Sequence, residues 1–515
     1  MRISYCLFYY TKHIIRYPIT LILKGPTEEC PLTKNRSYKH TLSMYCGDGL
    51  KFIITCFTIL TISITTTLIL QILYTDGTPQ DKAGTHGAVA TDYTNCSQIG
   101  TKILRKGGNA IDAAVAATIC MTVVAPHKTS LGGGGYVMLY NHKEQTDPII
   151  IDFANNTIKD NFAQSGIRVP AILRGLEYTH TLRGKLPWSE IVKPSVSLAK
   201  DGFVVSKELA SEVSKNIDYE ILYGHLSAGD ILKLHDLGDM LNAVALYGTN
   251  VLYNGTFSQK LLHDKVKLSK LLTELANYEP NVYTAKKRNF YKHVVYYPPH
   301  MSLLELVITT LENLKISTEN ASTIGTQIHV AKALINTVYI PLQLKQHVEE
   351  EKYTGVMAMD WEDTYVCIIT GLSAPFGQLS NAGFLLDKID TNNTLSMLIP
   401  IIFHNERSLC GLRGVFGTDD ILITGQLLYS IIVRQLNVSE AIEYPRYYFL
   451  SDGLAIENDQ KHSVDTLIQN QLNLIVPAPH VDTDLVLKSV NTIIKRKDLM
   501  SSHSDSRGGG LASRF

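Results

Sequence analysis

The sequence predicts a mixed α/β protein set behind a single membrane-spanning helix, and three observations carry that prediction. Residues 52–74 contain no charged side chain. Residues 87–153 read in turn as helix, helix, glycine run, strand and hairpin. From residue 353 onward short strands alternate with turn residues, whereas residues 188–340 read mostly as helices.

The chain of 515 residues balances 48 Lys/Arg against 48 Asp/Glu, but residues 1–51 hold eight basic and three acidic side chains. At ~1.5 Å per residue, Phe52–Tyr74 reaches across a ~30 Å hydrocarbon core. A signal peptide is shorter and nearer the start, and a buried core helix is seldom uncharged for so long. The many Thr residues in the stretch lower its hydrophobicity. Basic residues before it predict a cytosolic N-terminus and an exported remainder, a single-pass type II topology in the secretory pathway or plasma membrane. Residues 75–86, TDGTPQDKAGTH, have the composition of a short stem. Asn95, Asn254, Asn320 and Asn437 begin Asn-x-Ser/Thr sequons, compatible with glycosylation on the exported side. There is no basic stripe with interleaved aromatics and no zinc-finger spacing, so nucleic acid is not an expected partner. No metal-ligand cluster or cofactor motif is present, and neither a metal nor a cofactor is expected.

In the next stretch, Cys96, Ile99, Ile103 and Leu104 repeat at helical spacing, with Lys102, Arg105 and Lys106 late on the polar side. Gly107-Gly108 stops that helix and Asn109 can cap the next one. Residues 110–125 are Ala-rich and apolar on nearly every face, as a buried helix would be, and Pro126 ends it. Gly132–Gly135 then lets the backbone turn closely into a strand, Tyr136–Tyr140, and a hairpin leads to a second, Pro148–Phe153. A phosphate-loop reading of the glycines fails. Such loops run from strand to helix and carry Lys-Ser or Lys-Thr, whereas this one runs from helix to strand into Tyr136-Val137.

Further along, a helix over 192–203 closes at Gly202, and others are predicted over Phe257–Leu268, Met301–Leu314 and Ile324–Ile340. Lys345–Lys352, with three consecutive glutamates, reads as an exposed connection. Val356–Asp360 and Thr364–Thr370 are strands around a Trp361-Glu362-Asp363 turn, and Ile421–Gln435 is a helix.

Cys96-Ser97-Gln98-Ile99-Gly100, then Leu104–Ala117, Gly132–Gly135 and Ile151-Asp152-Phe153 resemble, in order and spacing, the N-terminal signature of the γ-glutamyltransferases, also called glutathione hydrolases. The likeness continues through Ser165–Pro170, Arg174–Glu177, Gly184–Trp188 and residues 192–203. Beyond these it is carried by Leu252–Gly255, Pro375-Phe376-Gly377, Ser439–Arg446 and Gly508–Gly510. The resemblance implies an N-terminal-nucleophile hydrolase αββα sandwich. Behind the tail (1–51), anchor (52–74) and stem (75–86), it divides the chain into a large-subunit-like region (87–352) and a small-subunit-like region (353–515). It also implies a disulfide between Cys96 and Cys120, and glutathione or γ-glutamyl compounds as ligands if the protein is active.

By the same resemblance, the precursor cleaves itself before a threonine whose freed α-amine then serves as base for its own hydroxyl. Register on Pro375-Phe376-Gly377 puts that position at Tyr353, with Thr354 next. A phenol oxygen lies across the ring and cannot attack the preceding carbonyl through a small ring. Thr354 is the alternative nucleophile if the register slips by one residue. The family histidine two places on is Gly355, the carboxylate-binding Arg is Ala154, and the acidic residue after it is Asn155. The family Asn falls at Ser373, and the acidic cluster shrinks to Leu386–Asp390. The serine pair becomes Ser396-Met397, and the oxyanion Gly-Gly becomes Gly417-Thr418. Losing a bidentate guanidinium removes the strongest grip on a carboxylate. The sequence therefore favours a family member with a degraded active site. The rival expectation is a working enzyme that cleaves γ-glutamyl bonds with Thr354 and binds substrate through Ser373, Ser396, Gly417 and Thr418.

Overall fold

The computed structural model describes residues 42–74, 86–154, 167–215, 217–317, 319–320, 324–342, 353–373, 377–387, 398–450, 453–457 and 488–515. Residues 1–41, most of the stem, the connection at 345–352, Asn155 and Ser396 lie outside these residues. The chain divides into two compact units, Met1–Lys82 and Ala83–Phe515.

In the first unit, α1 spans Leu42–Tyr74. Its window Phe52–Ile69 has a mean hydropathy of 2.1 and is long and apolar enough to cross a membrane. The Thr residues do not compromise that character. Thr61 Oγ1 donates to the Phe57 carbonyl at 2.9 Å and Thr65 Oγ1 to that of Thr61 at 2.8 Å, so these hydroxyls need no water.

The second unit is a four-layer αββα sandwich. The first sheet holds β1 (Gly87–Ala90), β2 (Gly134–Asn141), β3 (Ile149–Asp152), β4 (Asn281–Thr284), β7 (Tyr353–Asp360), β8 (Thr364–Gly371) and β13 (Ser513–Arg514). Its order is β13-β1-β7-β8-β2-β3-β4, and every pairing is antiparallel. The second sheet holds β5 (Lys286–Phe290), β6 (His293–Tyr297), β9 (Ile399–Asn405), β10 (Arg413–Thr418), β11 (Thr492–Arg496) and β12 (Leu499–His503), in the order β12-β11-β10-β9-β6-β5.

Strand alternation divides the apolar side chains into three layers. Met357, Met359, Cys367 and Ile369 meet Ile402, Val415 and Ile493 between the sheets. On the other side of the first sheet, Val356, Ala358, Val366 and Ile368 pack against α2 (Thr94–Arg105) and α3 (Ala110–Val124). Ile401, Phe403 and Phe416 face the outer helices α4 (Ser302–Asn313) and α5 (Ile421–Leu428).

The helices form where sequence pattern and caps agree. Every residue of α3 is buried, and Asn109 caps it reciprocally: its side chain accepts from Asp112 N while the Asp112 carboxylate accepts from Asn109 N. Gly107, at φ +95°, makes the turn between α2 and α3. Two expectations need correction. Residues 257–268 are not one helix: a 3-10 turn covers Ser258–Lys260, and the helix runs Lys265–Ala276 from an Asp264 cap. The helices beginning at Ile324 and Ile421 give way to wider π turns over Ile335–Tyr339 and Tyr429–Val433.

Candidate active site

One end of the first sheet brings together several of the described positions singled out from the sequence. Tyr353 opens β7 opposite Gly371 at the end of β8, which in turn pairs with Gly134 at the start of β2. Asp152, at the end of β3, pairs with Tyr136, which brings Ala154 to the same edge. The glycine run is there because backbones meet without room for side chains. A Cβ on Gly132 would lie 2.3 Å from the Leu385 carbonyl oxygen, and one on Gly133 2.3 Å from that of Gly371.

Tyr353 and Thr354 point to opposite faces of β7. Tyr353 is 2% exposed, packs in the layer between the sheets, and donates its hydroxyl to the Ser489 carbonyl. Thr354 is fully buried, and its Oγ1 donates to Asp92 Oδ2 at 3.0 Å.

Ala154 is 1% exposed and belongs to the inter-sheet layer. Ser373 is committed to its neighbour: its backbone N–H donates to Asp387 Oδ1 at 2.8 Å and its hydroxyl to Oδ2. Asp387, fully buried, also faces Arg168 Nε at 3.4 Å. Burial draws the Arg168 pKa down and Asp387 opposes that shift. Gly417 packs against Ile369 and Cys367, where any Cβ would clash, 2.1 Å from Ile369 Cδ1. Thr418 Oγ1 pairs with Thr424 Oγ1 and the Asp420 carbonyl. The β11 pairing stops at Phe416, so Gly417 and Thr418 extend past the end of that neighbour.

The sequence reading missed a chain of buried polar groups behind Thr354. Asp92 Oδ1 accepts from Asn491 Nδ2 at 2.6 Å, and Asp92 Oδ2 lies 3.7 Å from Lys128 Nζ. Lys128, 1% exposed, also pairs with Glu208 Oε1 at 3.1 Å, and His127 Nε2 lies 3.6 Å from Glu208 Oε2. Burial raises the Asp92 carboxyl above its ordinary range, against the pull of Lys128. Burial also opposes ionisation of Glu208, but Lys128 and His127 bring it down to about 2. One sequence signal was available. Lys128 is the one Lys, Arg, Asp or Glu between Asp112 and Lys143, and so sits alone in an apolar, Gly-rich run.

Cys96 and Cys120 form the disulfide that the resemblance implied, joining α2 to α3 with Cα atoms 5.5 Å apart. Among the described residues no group of three or more His, Cys, Asp or Glu side chains could hold a metal ion.

Comparison with known proteins agrees with this architecture. The Gamma-glutamyltranspeptidase family model matches residues 96–359. Glutathione hydrolase 7 of Mus musculus is 26% identical over 499 residues, spanning 78% of this chain and 74% of that protein. Glutathione hydrolase 2 of Arabidopsis thaliana is 35% identical over 222 residues, 38% of each chain. A cephalosporin acylase structure from Bacillus halodurans superposes with a TM-score of 0.66 at 16% identity, covering 84% of this chain and 96% of that one, a likeness of fold alone. The sandwich is of the N-terminal-nucleophile hydrolase type. Because the family match covers just over half of the 515 residues, the chain belongs to the gamma-glutamyltranspeptidase family.

Proposed function

We propose that this protein is a catalytically impaired member of its family, anchored by α1 with the sandwich on the exported side, and that it acts as a binding or structural protein. The observation that carries this reading is Tyr353. The register of the resemblance puts it at the nucleophile position, its ring fills the inter-sheet layer, and its hydroxyl donates to the Ser489 carbonyl. Acyl transfer there needs a β-hydroxyl beside a base, and Tyr353 offers none. Ala154 supplies no guanidinium for a glutamyl carboxylate, a loss of about 1.5–3 kcal/mol for one hydrogen bond to a charged group. Ser373, which the resemblance counts among the substrate-binding positions, is bonded to Asp387, and Asp387 in turn faces Arg168.

A second reading keeps an active enzyme that cleaves glutathione and passes the γ-glutamyl group to water or amino acids. It is favoured by the Asp92 carboxylate, 3.0 Å from Thr354 Oγ1, where a general base would stand. A chromogenic γ-glutamyl anilide separates the two. The first reading expects no release above a Thr354→Ala control, and release that Thr354→Ala abolishes would establish the second.

A further inference from the structure

An apolar cavity of about 60 Å³ lies in the helical layer outside the second sheet, between the helix Ile324–Leu334 and α5. Val330, Ala331, Leu334, Leu422 and Leu427 supply its wall. One water needs ~10–15 Å³ of such space, so the cavity takes a body of a few carbon atoms. Both π turns border it: Ile335 opens one, and Tyr429 and Ser430 open the other. Such turns widen a helix locally and are frequent at functional sites. None of Ala154, Tyr353, Thr354, Ser373, Gly417 and Thr418 lines the cavity, so binding here is independent of whether the family's site turns over.

Two charged side chains reach the lining, Arg434 and Arg446. Arg446 is committed to Asp505 Oδ2 at 2.5 Å and to the carbonyls of Lys488 and Ile442. Arg434 is not. Its guanidinium carbon lies 4.1 Å from the centroid of the Tyr444 ring, a cation–π contact that uses none of its N–H donors. Among the described residues Arg434 makes no ion pair and no side-chain hydrogen bond, and its Nε is buried without a partner. The Ser430 hydroxyl, one turn earlier in the same lining, also makes no hydrogen bond among the described residues. A guanidinium donor taken out of water without an acceptor costs stability, and a carboxylate matches its fork best. A plain hydrocarbon would leave that donor unpaired, and a small inorganic anion would leave the apolar wall unfilled. An amino acid would bring an ammonium into a lining that holds no carboxylate.

We propose that this cavity binds a small monocarboxylate with an apolar body, its carboxylate on Arg434 and Ser430 and its carbon chain between the helix Ile324–Leu334 and α5. Calorimetric titration of the full chain in lipid nanodiscs, with empty nanodiscs as the blank, tests this with hexanoate and 3-phenylpropanoate. Saturable binding is expected for at least one, with a Kd at or below about 1 mM. Hexanamide, acetate and glutamate should each bind about ten-fold more weakly or not at all. Arg434→Met keeps the reach of the side chain, removes its charge, and should weaken binding about ten-fold or more; Arg434→Lys should weaken it less. If Arg434→Met folds poorly, Ala331→Leu, which fills the cavity and leaves Arg434 in place, should abolish binding. Absence of saturation with both carboxylates, equal binding of hexanamide, or unchanged affinity in these variants would overturn the proposal.

Discussion

The Thr354 hydroxyl donates to the Asp92 carboxylate at 3.0 Å, on the face of β7 that lies away from Tyr353 and the inter-sheet layer. The two residues that compete for the nucleophile role are thus neighbours in sequence and opposed in space. Because Thr354 is fully buried and Asp92 nearly so, their bond contributes to stability first. Thr354→Val leaves a buried carboxylate with one donor fewer and should cost about 1–3 kcal/mol, whereas Thr354→Ser should cost less. Denaturant unfolding of both variants checks this, and a Thr354→Val protein as stable as the parent would remove the structural role.

Tyr353 is placed as a core residue. Tyr353→Phe removes only the donation to the Ser489 carbonyl and should cost about 1 kcal/mol. Tyr353→Ala opens a cavity between the sheets and should cost about 3–5 kcal/mol. The ratio of these two losses, read from unfolding midpoints, tests whether the ring or the hydroxyl matters more.

The Cys96–Cys120 bond closes a loop with a sequence separation of 24, and its removal by a double Cys→Ser variant should cost about 3 kcal/mol. Melting with and without a reductant measures it. The variant should melt low in both, and the parent only with the reductant.

Acid should loosen the far end of the sandwich. His142 and His293 are both held neutral chiefly by burial, which brings each down to about 4 from 6.5, with the Leu409 carbonyl opposing at His142 and His404 reinforcing at His293. These are bases whose folded pKa lies below the unfolded value, so the unfolded chain binds more protons between those limits. Their contribution is intact above about pH 6.5 and is lost as pH falls toward about 4. His142→Gln should flatten the fall of unfolding free energy across that window, and an unchanged slope would assign the acid sensitivity elsewhere.

Much of the fold was legible because its signals are local. The apolar surround of α3, its Asn109 cap, the glycine run and the strand pair around Trp361 each come from spacing alone. The misplaced helix near residue 260 had a usable cap signal in Asp264. The π turns carry no residue pattern of their own. The site was legible only by position. That Tyr353 and Thr354 face opposite layers comes from strand parity, but that Ser373 bonds Asp387 and that Arg168 faces it depends on loops far apart in the chain. The Asp92–Lys128–Glu208 chain is of the same kind, since its members meet only once three separate segments have packed.

In the proposed reading, Tyr353 has ended self-processing. Denaturing electrophoresis of the purified, deglycosylated and reduced full chain tests it most directly. One band near 57.3 kDa is the predicted result. Two chains, the smaller beginning at Thr354 by N-terminal sequencing, would contradict it.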